Sequence, residues 1–162
     1  MTSTAPLDRA LLAGARGVLA GAAGTAAMTL SQAVEQRLSG RSGSTTPADG
    51  VSAATGITPR DETAQNRLNV VAHWAYGTGW GLARAALDLV GTRGPAATGA
   101  HLAAVLGTEQ VLTPALGLGK PTPSYGATAT ATDLGHHVVY AAVAGSVYDA
   151  LSGDRAAGWT RF

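Results

Sequence analysis

Residues 17–34 read GVLAGAAGTAAMTLSQAV and contain no charged side chain. A helix on the surface of a soluble protein needs a charged or polar face at helical spacing, and this stretch lacks charge on every face. Residues 68–83 and 134–148 are free of charge in the same way. Such stretches are typical of helices that cross a lipid bilayer, whose hydrocarbon core requires about 20 residues of helix. We therefore predict an all-α membrane protein.

Four segments of the chain are long enough to span a bilayer. We expect one domain with four transmembrane helices at about 10–36, 68–90, 95–117 and 133–151, and a polar loop at 39–66. The helices are rich in Ala and Gly, which contribute little to membrane insertion, so an Ala-rich soluble bundle is the alternative. Charged residues make up only 13% of the chain, against about 25% in soluble domains. This difference favours the membrane protein.

The connections between the segments constrain the topology. The long loop is rich in Gly, Ser and Thr and is expected to hold one short helix near residues 59–67. Only residues 91–94 separate the second segment from the third, so these two helices must be antiparallel neighbours. The N-terminal segment is interpreted as a retained helix rather than a signal peptide, because Arg16 interrupts its apolar run.

The second and fourth segments carry the same pattern, His-x-x-Tyr-x-x-x-x-Gly. The pattern begins at His73 and at His137, and a polar residue, Asn69 or Asp133, precedes each histidine by four positions. The loops before them share a Thr-Pro-x-x-Gly motif. We therefore predict two repeated helical hairpins. Hairpins repeated in this way share one orientation, related by an approximate two-fold axis along the membrane normal, and the two histidines then lie at similar depth.

Small residues recur four positions apart in three of the segments. The pairs are Gly17 and Gly21, Gly77 and Gly81, and Ala141 and Gly145. This spacing lets helix backbones approach closely in lipid. We expect the bilayer and either a second copy of the chain or another membrane protein as partners. A net charge of +1 without a basic motif gives no reason to expect nucleic acid.

Ionisable side chains within a membrane are costly and usually face protein or water. Glu109 lies near the middle of the third segment. It could handle protons or cations, or it could be a structural partner of Arg84 or His101. Arg84 could instead extend to the membrane interface. The candidate polar intramembrane site has seven members: Glu109, His73, His137, Asp133, Asn69, Arg84 and His101.

The histidines leave several functions open. His73 and His137 could ligate a haem or a metal ion, they could relay protons, or each could lock helix packing by bonding the polar residue one turn away. The sequence itself identifies no cofactor, and it contains no nucleotide-binding, metalloprotease or hydrolase motif, which disfavours an enzyme. The hypotheses are proton- or ion-linked transport or a channel, a His-ligated haem or metal redox protein, and a non-catalytic membrane scaffold or partner subunit.

Three stretches carry a resemblance to known proteins. They are residues 21–30 (GAAGTAAMTL), residues 73–81 (HWAYGTGWG), and HHVVY at 136–140 followed by Tyr148-Asp149. They resemble small integral membrane proteins of actinobacteria and, more distantly, the YagU-like inner membrane proteins. The resemblance covers most of the chain and implies a multi-pass protein of the bacterial inner membrane, but no catalytic residue. We expect both termini to be cytoplasmic, because longer polar loops more often lie outside.

Overall fold

The computed structural model describes residues 5–153, which form helices and no strand. The all-α prediction is confirmed for this range, and the predicted domain, residues 1–162, extends beyond it at both ends. The helices are α1 (Ala5–Ser39), α2 (Thr46–Thr55), α3 (Glu62–Leu89), α4 (Gly94–Ala115) and α5 (Ala127–Ser152), with a 3₁₀ helix at Thr122–Tyr125 before α5.

The four long helices overlap the predicted segments, but the polar loop is more helical than expected. The short helix expected near residues 59–67 is instead the start of α3, whose first turn is capped by Asp61. The Asp61 carboxylate accepts a 2.7 Å hydrogen bond from the Ala64 backbone N–H, which satisfies an otherwise unpaired donor. The separate short helix is α2, which has a proline in its first turn and is capped at its C-terminal end by Gly56, with a φ of 75°.

The four long helices form a closed ring. Helix α1 packs along α3 and α5, while α4 packs on α5 and, less extensively, on α3. The neighbouring positions of α3 and α4 agree with the prediction from their short connection. Helices α1 and α3 are antiparallel, because Gly17 lies against Gly81 while Thr29, farther along α1, lies against His73.

The two halves of the chain share one orientation. Helices α3 and α5 run parallel, because the Tyr140 hydroxyl donates to the Gly77 carbonyl and, farther along both helices, Arg84 pairs with Asp149. These contacts join residues 63 and 65 positions apart, close to the offset between the two histidines of the repeat. Equal depth of those histidines follows from this register. The duplication itself stays a prediction.

Glycines at equivalent positions of the repeat hold each hairpin together. A Cβ on Gly81 of α3 would overlap the Gly17 carbonyl of α1, and a Cβ on Gly145 of α5 would overlap the Thr98 side chain of α4. At each glycine, the absence of a side chain therefore leaves room for the other helix of the same hairpin. This use of small residues is the one predicted from their spacing.

Replacing Gly81 with Ala is expected to lower the free energy of unfolding by about 1–3 kcal/mol, because the added methyl overpacks the α1–α3 contact. Gly79 on the same helix is exposed and would meet nothing within 4 Å. Gly79→Ala should therefore leave stability unchanged or raise it by up to about 1 kcal/mol, the difference in helix propensity. Thermal unfolding in detergent, followed by circular dichroism, compares the two. Equal effects would contradict close packing at Gly81.

Among the described residues, several polar side chains are buried and many large aliphatic side chains are exposed. The largest fully buried side chains are those of Arg84, Tyr148, His101 and Thr25, and the remaining core is mostly Ala. The large aliphatic side chains instead lie outside, on all four long helices. Examples are Leu11, Leu12, Leu19, Leu30, Val34, Val70, Val71, Leu82, Val111, Leu134 and Val138. A soluble bundle normally buries such residues and keeps arginine at its surface.

Length and composition identify one candidate membrane span among the described residues. It is α1 over Pro6–Ser39, with a mean hydropathy of 1.3, and only 33% of its most apolar stretch is buried against the other helices. A signal sequence, or the core helix of a soluble protein, can also have this length and composition. Helix α1 is therefore long and apolar enough to cross a membrane, and four spans stay a prediction.

Candidate functional site

A polar cleft of about 680 Å³ opens at the end of the bundle that carries the long connections. It lies between the C-terminal part of α1, the N-terminal parts of α3 and α5, and the segments that precede these two helices. Most of its lining side chains are polar, among them Thr29, Glu35, Arg41, Asn69, His73 and Asp133. Three of the predicted site residues therefore line one cavity.

Next to the cleft, Glu109, Asp133 and His137 come together in what we call the acid–histidine cluster. His137 Nε2 lies 3.5 Å from Glu109 Oε2, and His137 Nδ1 lies 3.4 Å from Asp133 Oδ1. The Nδ1 atom also lies 2.9 Å from the Asp133 backbone carbonyl. One nitrogen or oxygen atom from each residue lies within 4.8 Å of the others. All three side chains are partly buried, so the cluster concentrates charge between α4 and α5.

The first hairpin has a neutral counterpart of this cluster, formed by Thr29, Asn69 and His73. His73 Nε2 lies 3.2 Å from the Thr29 hydroxyl of α1. Each histidine therefore contacts a residue of the other helix in its hairpin, since His137 contacts Glu109 of α4. The Asn69 amide accepts from the Ala48 backbone N–H at 3.1 Å and donates to the Ser44 carbonyl at 2.9 Å. The predicted Asn69–His73 bond is thus replaced by contacts that anchor the polar loop.

The adjacent histidines His136 and His137 serve different neighbours. His136 Nδ1 lies 2.8 Å from the Ser31 hydroxyl of α1, whereas His137 faces α4. Successive helical residues point about 100° apart, which is why the pair does not converge on one centre. His137, which the repeat pattern favours as the site candidate, is the one of the pair that meets two carboxylates, and its role in a site stays a prediction.

His101 is not part of the acid–histidine cluster. It is fully buried between α3 and α5, with Nε2 3.0 Å from the Trp80 carbonyl and its ring centre 5.6 Å from that of Tyr140. The contact with Glu109 considered from the sequence is not formed. His101 and Glu109 lie on the same face of α4, but two helical turns apart, so they cannot touch.

Arg84 also departs from the expectation that it extends to the interface or reaches Glu109. It is fully buried, pairs with Asp149 and stacks 4.3 Å from the ring centre of Tyr148. The Tyr148 hydroxyl donates to Asp88, which also binds Arg93 at 2.8 Å. We call these five residues the arginine network. Sequence reasoning missed the partners of Arg84, although the repeat offset places Asp149 at its depth.

The structure thus divides the seven predicted residues among different surroundings. Glu109, Asp133 and His137 meet, His73 and Asn69 line the adjoining cleft, and His101 and Arg84 lie deeper toward the opposite end. Comparison of the chain with protein-family models, with curated proteins and with solved structures finds no match.

Proposed function

We propose that this chain is a small multi-pass protein of the bacterial inner membrane, with all four long helices in the bilayer. The observation that carries the proposal is the distribution of side chains, with aliphatic residues outside and arginine and histidine buried. Large apolar surfaces are unfavourable in water but match lipid hydrocarbon. Helices α3, α4 and α5 have 28, 22 and 26 residues, enough for the roughly 20 that a span requires. The inner membrane follows from the sequence resemblance.

Absence of cysteine from the chain allows a direct test of lipid exposure. Single cysteines at Leu19, Ala75, Ala104 and Val138 would each lie on the outside of one long helix. In membranes broken open on both faces, a maleimide should leave them unlabelled, because lipid suppresses the thiolate that reacts. A cysteine at Ser42, in the exposed loop, is the labelled control. Rapid labelling of all five would indicate a soluble bundle.

For its activity we infer cation-linked transport or conduction, with the acid–histidine cluster as the ion site. Two carboxylates and an imidazole between membrane helices are energetically costly unless they bind an ion or pair with each other. Glu109 Oε2 is buried and has no hydrogen-bond partner among the described residues. Asp133 belongs to both the cluster and the cleft wall, so an ion entering from the cleft would meet the cluster.

The haem hypothesis receives less support. Axial ligation would require the Nε2 or Nδ1 atoms of two histidines to face a porphyrin. His73 Nε2 instead contacts the Thr29 hydroxyl, and His137 has neighbours at both ring nitrogens. The scaffold hypothesis and self-association stay predictions. Small residues that face outward occur on α4, at Gly99, Ala103 and Gly107.

Reconstitution into lipid vesicles tests the proposed activity. One set of vesicles would contain a pH-sensitive dye and a second set a dye that senses divalent metal ions. We expect protein-containing vesicles to respond faster than empty vesicles in at least one of the two sets. If neither dye responds above the empty vesicles, transport and conduction of protons and of divalent cations are wrong as the activity.

A further inference from the structure

The hydrogen bonds of His137 determine which ring nitrogen carries a proton. Its Nδ1 atom lies 2.9 Å from the Asp133 backbone carbonyl, which can only accept. Nδ1 must therefore be the donor, and a neutral imidazole then has a lone pair on Nε2. That lone pair faces Glu109 Oε2, a second acceptor without a hydrogen-bond partner in residues 5–153. Two acceptors that face each other repel, so this position favours a cation between them.

The separation of the two atoms is longer than a direct hydrogen bond and matches the spacing of two ligands on one metal ion. A charge-assisted hydrogen bond between nitrogen and oxygen would draw them to about 2.7–2.9 Å, but they lie 3.5 Å apart. Two ligands of a tetrahedral Zn²⁺ ion with bonds of about 2.0–2.2 Å lie roughly 3.3–3.6 Å from each other. The observed distance therefore fits two ligands of one metal ion.

Asp133 completes the arrangement that orients a histidine ligand. Histidines that bind metal through one ring nitrogen usually donate the other N–H to a carbonyl or carboxylate, which holds the ring in place. The Asp133 carbonyl accepts from His137 Nδ1, and its carboxylate lies 3.4 Å from the same atom. That carboxylate also adds negative charge within 4.8 Å of the other two groups.

We propose that Glu109 Oε2 and His137 Nε2 bind one divalent transition-metal ion, with Zn²⁺ the best match, and that Asp133 orients His137 and attracts the ion. Imidazole and carboxylate together suit Zn²⁺. The proposal rests on the proposed function for the membrane setting of the site and names the ion class that the cluster takes. Ion entry is from the cleft, through the side of the cluster that Asp133 forms.

The neutral counterpart in the first hairpin supports the assignment and supplies its control. The Thr29 hydroxyl donates its one proton to the Thr25 carbonyl at 2.8 Å and accepts from His73 Nε2–H at 3.2 Å, so this pair is satisfied without a cation. The Asn69 amide is occupied by backbone groups of the polar loop. The first hairpin therefore packs around its histidine without carboxylates. Helix packing alone does not require Glu109 or Asp133.

Titration of the purified, tag-free protein in detergent with Co²⁺ tests the site. Co²⁺ replaces Zn²⁺ and shows ligand-field absorption bands when nitrogen and oxygen ligands bind it. We expect saturation at one ion per chain and displacement by Zn²⁺. Glu109→Gln and His137→Gln should each abolish the bands, and Asp133→Asn should weaken binding by about 10–100-fold. His73→Gln, the matched control, should bind like the unaltered protein.

Circular dichroism of every variant establishes that its helices are intact. Absence of saturable Co²⁺ binding by the folded, unaltered protein would overturn the proposal, as would an equal loss of binding in His73→Gln and His137→Gln. The result is separable from the vesicle test. Co²⁺ binding without ion flux would refute the proposed activity and keep the metal site. Proton flux without Co²⁺ binding would refute the metal site and keep the proposed activity.

Discussion

Asp149→Ala is expected to lower the free energy of unfolding by about 3 kcal/mol, because it leaves the buried Arg84 charge without its partner. Arg84 has 0% of its surface exposed. Only Nη2 of its guanidinium group bonds Asp149, and the buried Nε and Nη1 have no hydrogen-bond partner among the described residues. The contact with the Tyr148 ring compensates for only part of the lost charge pair. Thermal unfolding in detergent or lipid nanodiscs would measure the change.

The exposed ion pair between Glu35 and Arg41, at 3.1 Å, is the control. Exposed pairs contribute about 0–1 kcal/mol, so Glu35→Ala should have a small effect. The double variant Arg84→Met with Asp149→Leu should recover most of the stability, because removing both charges removes the unpaired charge. A loss for Asp149→Ala no larger than that for Glu35→Ala would show that the arginine network does not stabilise the bundle.

The second large effect is expected in the acid–histidine cluster. The double variant Glu109→Thr with Asp133→Asn gives His137 the kinds of neighbour that His73 has, a threonine on the preceding long helix and an asparagine four positions earlier in the chain. It should reduce cation flux into vesicles to the level of empty vesicles, because the carboxylates that attract a cation are gone. Its unfolding temperature should change little, since the first hairpin packs with these neutral residues.

The reciprocal change in the first hairpin is the matched control. Asn69→Asp adds a carboxylate at the position equivalent to Asp133 without altering the acid–histidine cluster, so flux should persist. Both variants should be compared at equal amounts of reconstituted protein. Undiminished flux in Glu109→Thr with Asp133→Asn would show that the cation pathway lies elsewhere and would remove the cluster from the mechanism.

Much of the helical architecture could be predicted from local patterns. The charge-free stretches located three of the four long helices, α1, α3 and α5, because a helix without a charged face is typical of apolar surroundings. The short connection at residues 91–94 determined that α3 and α4 are neighbours, and the repeat pattern anticipated the parallel register of α3 and α5. Helix starts were predicted too late at α3 and α5, where Thr-, Asp- and Gly-containing segments resemble loops by composition.

Partners across helices were less predictable. Glu109 was considered with Arg84 or His101, yet it faces His137. The reason is that α4 and α5 are antiparallel within one hairpin, which brings the end of α4 to the beginning of α5. Arg84 belongs to the opposite end of the bundle, where it meets Asp149. A residue's neighbours in sequence do not reveal which face of another helix it will meet.

The sequence by itself determined the helical class, the tendency of the helices to pack closely at small residues and the similar depth of His73 and His137, because these follow from periodicity and spacing along single helices. Only the tertiary structure decided that His137 lies among carboxylates and His73 beside a neutral hydroxyl group. It also decided that the largest buried side chains include an arginine and a histidine. The physical reason is that electrostatic interactions and hydrogen bonds form between side chains of different helices, and the packing of the bundle sets the distances between those side chains.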